Sequence, residues 1–228
     1  NPDPIRLLNP IASQMNVMRS SLLGSLMAVL KYNLDRRADR VRLFEVGRVF
    51  RKDASVVASD TEVAGLHQPM RVAGLIYGSL DRLQWGTTER GADFYDAKGD
   101  VQALLEPLQA EFRVGEHPAM HPGRCASIWL GGVCVGHLGE LHPRWRQGYE
   151  LPLAPVMFEL NLAAVLHREV PAFKAVSRFQ SVERDLAIVV KESVTHAQIM
   201  QAVYAPQDPW LQDATLFDVY RPKKMSGG

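Results

Sequence analysis

The chain has 228 residues, 46% of them hydrophobic and 22% charged, with 26 Lys and Arg against 25 Asp and Glu. That composition is ordinary for a soluble globular protein of one large unit, or of a large unit and a small one. A net charge of +1 gives no electrostatic case for nucleic acid by itself, because counterion release needs a basic face. Two cysteines, no apolar run near the ~18 residues of a membrane span and no charged-then-apolar leader point to a reduced, cytosolic setting without a membrane.

In chain order, Asn9-Pro10 leads to Ser20 and Ser21, either of which can cap a helix by accepting from orphan amides. Leu22, Leu23, Leu26, Met27, Leu30 and Leu34 recur at three- and four-residue steps and form one apolar stripe. Lys31, Arg36 and Arg37 suit the helix carboxyl end. Residues 41–50 read as a strand, Lys52 to Gln68 as an exposed loop, Met70 to Gly78 as a buried strand, and Asp96 to Leu108 as a helix with Val101, Leu104, Leu105 and Leu108 inward. Cys125 to Leu130 and Val133 to Leu138 form a hairpin about Gly131-Gly132. A two-residue turn there pairs Trp129 with Cys134 and Cys125 with Leu138, so the two sulfurs do not face each other. Val156 to Leu160 is a further strand and Leu162 to His167 a short helix, which together predict an α+β fold, an antiparallel sheet with packed helices.

Near Val170-Pro171-Ala172-Phe173 the pattern restarts, giving expected domains of 1–172 and 173–228. Arg184 to Val190 and Leu211 to Tyr220 read as strands around a helix opened by a Thr195/Gln198 capping box, with Ile199, Ala202 and Val203 inward. This strand-helix-strand unit is the first half of a ferredoxin-like fold. An amino-terminal Asn and a carboxyl end at Met225-Ser226-Gly227-Gly228 suggest a fragment of a longer polypeptide.

Several stretches, in order, resemble the beta subunit of bacterial phenylalanyl-tRNA synthetase. They are Asn9 to Arg19 with the helix and strand after it, Phe94 to Asp100, His121-Pro122-Gly123-Arg124, Gly136 to Pro143, Phe158 to Leu162 and Phe179 to Ala187. The resemblance implies a non-catalytic copy of the class II synthetase core followed by a truncated ferredoxin-like anticodon-binding domain. It also implies a cytoplasmic heterotetramer of two alpha and two beta chains that charges tRNA(Phe) with phenylalanine, with ATP and magnesium held by alpha and no cofactor here. The opening helix resembles class II motif 1, a dimerisation element, so Leu22, Leu23, Leu26 and Leu30 are expected at a subunit interface.

Gly47 to Asp53, followed by His67-Gln68, resembles motif 2, a strand-loop-strand whose arginine grips ATP phosphate. Arg71, however, lies where a Val-Glu-Gly run would orient the substrate ammonium. At the place of the glycine-rich motif 3 stands Phe158-Glu159-Leu160-Asn161-Leu162, expected to fill the groove with side chains and to repel phosphate through its carboxylate. The fragment is therefore expected to be inactive.

His117, His121, His137 and His142 lack metal-ligand patterns and read as structural, bonded to the backbone. Candidate tRNA contacts are Lys174, Arg178, Arg184, Tyr220, Arg221, Lys223 and Lys224, interleaved with Phe173 and Phe179. Guanidinium planes and aromatics stack splayed bases, and lysines meet phosphate. The competing readings are a stand-alone class II-like ligase and a synthetase-derived amino-acid-sensing domain.

Overall fold

The computed structural model describes residues 3–12, 15–167, 170, 173 and 178–221. The chain divides into two compact units, Asn1–Pro171 and Ala172–Gly228.

The first unit is α+β. Its elements are α1 (Leu23–Leu34), β1 (Val41–Arg48), β2 (Arg51–Lys52), β3 (Leu66–His67), β4 (Met70–Tyr77), α2 (Phe94–Leu105), β5 (Glu111–Val114), β6 (Met120–Leu130), β7 (Val133–Leu141), α3 (Pro143–Gly148), β8 (Val156–Asn161) and α4 (Leu162–Leu166). Six strands form one sheet in the order β1-β4-β8-β7-β6-β5, and β2 and β3 form a separate ribbon. Every ladder in both is antiparallel.

Alternation along β4 and β8 divides the apolar residues between two cores. Ala73, Leu75, Tyr77 and Met157 face α1, where Leu22, Leu23, Leu26, Met27 and Leu30 cover them. Val72, Ile76, Phe158 and Leu160 face α2 and α4, meeting Ala97, Val101, Leu105 and Val165. Each fully buried Leu, Ile or Val contributes about 1.5–3 kcal/mol of transfer free energy. Two filled faces make the sheet the rigid floor of the unit.

Local chemistry shifts several element ends from those read in the sequence. Helix α2 starts at Phe94 because Asp93 accepts from the Tyr95 and Asp96 amides while Asp96 accepts from the Asp93 amide, a full capping box. It ends at Leu105, since Glu106 precedes Pro107 and takes an extended ψ of 139°. The hairpin turn has φ of 54° at Gly131 and 82° at Gly132, the doubly left-handed geometry of a type I′ turn. Trp129 pairs with Cys134 as read, but a register shift between Ile128 and Trp129 pairs Cys125 with Gly139 instead of Leu138. The extra residue is a bulge on β7, which the sequence does not announce. Both cysteines are free thiols.

In the second unit, among the described residues, one helix is assigned, α5 (His196–Tyr204), and no strand. Thr195 and Gln198 form the expected capping box. Ile199 and Val203 are half-buried and Ala202 is exposed, so the expected inward face is open. The expected strands at 184–190 and 211–220 do not form ladders. In a split βαβ unit the two parallel strands leave a place for another strand between them, so without that neighbour neither has a partner. Leu186, Val189, Phe217 and Tyr220 are correspondingly exposed.

Hydrogen exchange checks this contrast. The amides of Ala187 to Val190 should exchange near the rate of unstructured chain, while those of Ala73 to Ile76, paired on both sides in β4, should be strongly protected.

Candidate functional site

A polar row crosses the α1 side of the sheet. In register, Glu45 opposes Ala73, Ala73 opposes Glu159, Glu159 opposes His137, His137 opposes Ser127, and Ser127 opposes Arg113. Opposed residues share a face, so this row brings three ionisable groups from separate strands over one surface.

Glu159, 9% exposed, is the centre of that row. Its Oε1 accepts from the Leu22 amide at 2.6 Å and from Ser21 Oγ at 3.1 Å. Ser21 Oγ in turn accepts from the Leu23 amide at 3.1 Å. Neither serine is the cap residue: that position falls on Leu22, whose own side chain makes no cap bond. A carboxylate from β8 therefore satisfies the orphan amides of a helix 137 residues earlier and lies against its positive end.

A second clamp holds the lead-in to α1. Arg19 Nε donates to the Arg48 carbonyl at 2.9 Å, and Arg19 Nη1 pairs with Glu45. A Cβ at Gly47 would collide with this guanidinium, so the strand needs glycine there.

Beside Glu159 lies a cavity of about 860 Å³, with Arg51, His117, Trp145, Tyr149 and Met157 among its lining residues. The motif 3-like residues do not fill this groove. Phe158, Leu160 and Leu162 belong to the core on the opposite face, leaving Met157 and Glu159 on this one. The strand-loop-strand is present as the β2–β3 ribbon, with Arg51 opposite His67. Arg48 takes no part in the cavity; its Nη1 donates to the Gln68 carbonyl at 3.0 Å.

The His117 and His137 rings lie 5.2 Å apart between centroids. Burial, then His137 and Arg51, push the His117 pKa down to about 4, so its imidazole is neutral at pH 7. Burial lowers the His137 pKa as well, with Glu159 opposing the shift. Arg71, diagonal to Glu159 on β4, is half-buried, and burial followed by repulsion from Arg51 lowers its pKa. His117, His121 and His142 each accept a backbone amide at Nδ1, from Ala119, Gly123 and Arg144. Among the described residues, no group of three or more His, Cys, Asp or Glu is placed to hold a metal, and no helix is long and apolar enough to cross a membrane.

The expected interface leucines need correcting. Leu22, Leu23, Leu26 and Leu30 are 0%, 4%, 3% and 0% exposed, enclosed by their own chain's sheet. The stripe does signal burial, but its partner is β4 and β8. The solvent side of this region instead carries Val29 and Tyr32 on α1 and Phe44 and Val46 on β1, all exposed. Of the candidate tRNA contacts, Arg178, Arg184, Tyr220 and Arg221 are exposed, and Arg221 pairs with Glu192 at 2.9 Å. Lys174, Lys223 and Lys224 lie outside the described residues.

Sequence reading named Arg71, His117, His137 and Glu159 but did not join them into one surface. Two of them carry a usable signal: Arg71 and Glu159 are lone charges inside otherwise apolar strands.

Residues 1–162 match the family model described as the phenylalanyl tRNA synthetase beta chain CLM domain. The chain belongs to the phenylalanyl-tRNA synthetase beta chain family. Residues 177–228 match the ferredoxin-fold anticodon binding domain. Phenylalanine–tRNA ligase beta subunits from Ralstonia nicotianae and Cupriavidus pinatubonensis are 53% and 51% identical over 98% and 99% of this chain. The Chromobacterium violaceum subunit is 50% identical over 100% of it. The chain spans 28% of the length of each of these relatives. A pyrrolysyl tRNA synthetase from Desulfitobacterium hafniense aligns at TM-score 0.47 and 13% identity over 72% of this chain and 51% of that one, which is too distant to establish a shared fold.

Two substitutions test the helix tie. Glu159→Ala should cost about 2–3 kcal/mol by leaving the buried Leu22 amide unpaired, whereas Glu159→Gln, which still presents an acceptor, should cost about 1 kcal/mol; urea denaturation reads both. A histidine depressed in the folded state makes the unfolded chain the better proton acceptor between about 4 and 6.5. Stability present above pH 6.5 should therefore be lost as pH falls toward 4. His117→Asn, whose Oδ1 replaces the Nδ1 acceptor, should flatten that part of the melting-temperature profile.

Proposed function

We propose that this chain is the part of a phenylalanine–tRNA ligase beta subunit that supports a catalytic partner without performing chemistry itself. Residues 1–172 form a silent class II synthetase-like domain, and 173–228 begin an anticodon-binding domain. The whole enzyme is a heterotetramer of two alpha and two beta chains that charges tRNA(Phe) with phenylalanine in the cytoplasm, with ATP and Mg²⁺ bound by alpha.

Glu159 carries the reading of silence. A nucleotide site at that passage needs open backbone and a favourable potential, whereas here a carboxylate is bonded to the start of α1. Arg71, where an acid would orient the substrate ammonium, has the opposite charge. The arginine of the motif 2-like strand, Arg48, is bonded to Gln68 away from the cavity.

The subunit contact is assigned to the outward side of the opening helix and strand. β1 ends the sheet order, so its free edge is open, and it exposes Phe44 by 79% and Val46 by 47%. An apolar strand edge on a soluble protein calls for a cover. In the second unit, Arg178, Arg184 and Tyr220 supply the cation and stacking plane that single-stranded RNA takes, and Arg221 is already paired with Glu192.

Co-expression with an alpha chain tests the assignment. The chain should co-purify with it, and joint Phe44→Asp and Val46→Asp substitution should weaken the complex about tenfold or more. Alone, the chain should show no phenylalanine-dependent ATP–pyrophosphate exchange above background. Exchange that vanishes with Arg51→Ala would overturn the silence, and an unaffected complex would move the interface elsewhere.

A further inference from the structure

We infer that the cavity beside Glu159 binds the anionic head of a small ligand between Arg51 and Arg71. Arg71 is the unexplained group. It is half-buried on the α1 side of β4, its Nε is buried without a hydrogen-bond partner, and its guanidinium makes no hydrogen bond or ion pair among the described residues. Arg51, from the β2–β3 ribbon, likewise has none, and it lies close enough to lower the pKa of both Arg71 and His117. Buried polar groups are nearly always satisfied, and an orphan among converging cations is met most simply by an anion.

The nearby carboxylate is not that anion. Glu159 lies within no ion-pair distance of Arg71, and both hydrogen bonds it accepts come from the start of α1. Its charge still disfavours polyphosphates, so the head is a carboxylate or a phosphate monoester. A guanidinium at position 71 also rejects an ammonium group, which separates this site from one that holds a substrate amine. The volume of about 860 Å³ is far larger than an inorganic ion and falls in the range of small-molecule sites. Met27, Leu141, Tyr149 and Met157 give it apolar walls. The ligand is therefore a monovalent oxyanion on a ring-sized apolar body.

Calorimetric titration of the 228-residue chain with benzoate, phenyl phosphate, inorganic phosphate and benzyl alcohol tests this. Saturable binding of benzoate or phenyl phosphate is expected, and whichever is tighter identifies the head; inorganic phosphate should bind more weakly for want of the apolar body. Arg71→Gln and Arg51→Gln should each weaken binding about tenfold or more, while Arg124→Gln, at a separate ion pair with Glu140, should not. Benzyl alcohol binding as tightly as benzoate would overturn the proposal in favour of a merely apolar cleft. So would unchanged affinity in the Arg51→Gln chain, which alters an exposed residue and should fold even if Arg71→Gln does not. A complex with the alpha chain that forms normally would leave the scaffold reading intact in either case.

Discussion

A carboxylate in the middle of a β-sheet is costly to bury, and Glu159 is held there by the amino terminus of α1. Desolvating one carboxylate costs several kcal/mol in a protein interior. Two donors on Oε1 and the helix dipole offset that cost and fix where α1 begins. Once Leu22 is pinned, the three- and four-residue spacing places Leu23, Leu26 and Leu30 against Ala73, Leu75 and Met157. The same register turns Gly24 and the amino-terminal turn toward the cavity. One electrostatic contact thus sets both the packing of the larger core and the wall of the candidate site.

Arg19 and Gly47 make the arrangement rigid from the other side. The guanidinium bridges Glu45 and the Arg48 carbonyl, and its room on β1 depends on a missing side chain. The lead-in to α1 is therefore tied to the edge strand while its first turn is tied to β8. An edge strand held this way can present Phe44 and Val46 in a fixed geometry instead of slipping register, which is what a recognition edge requires.

How much of this was legible depended on the range of the interaction. The stripe of α1, the Gly-Gly turn, the β4 and β8 runs and the Thr195/Gln198 box are local patterns, and each appears where the residues put it. The cap on α1 was not legible, because Ser20 and Ser21 look like caps and the true acceptor is 137 residues away. The β7 bulge left no mark in an apolar run, and β5 was too short to stand out. The apolar stripe announced burial without saying against what. The expectation that motif 3-like side chains fill the groove failed on parity: Phe158 and Leu160 point to the α2 side, and only the alternate residues reach the cavity.

The second unit shows the same limit from the opposite direction. Its sequence carries strand-like runs, yet β-propensity is largely a measure of fit to neighbouring strands and not a property of the backbone alone. Val189 and Phe217 remain exposed, and α5 buries none of its residues. A helix can satisfy its backbone within nine residues once it is capped, but a strand cannot satisfy its own. That asymmetry explains why the one element assigned among the described residues of this unit is the helix. It also means that the Arg184 and Tyr220 surface takes its working geometry only when other strands pair with residues 184–190 and 211–220.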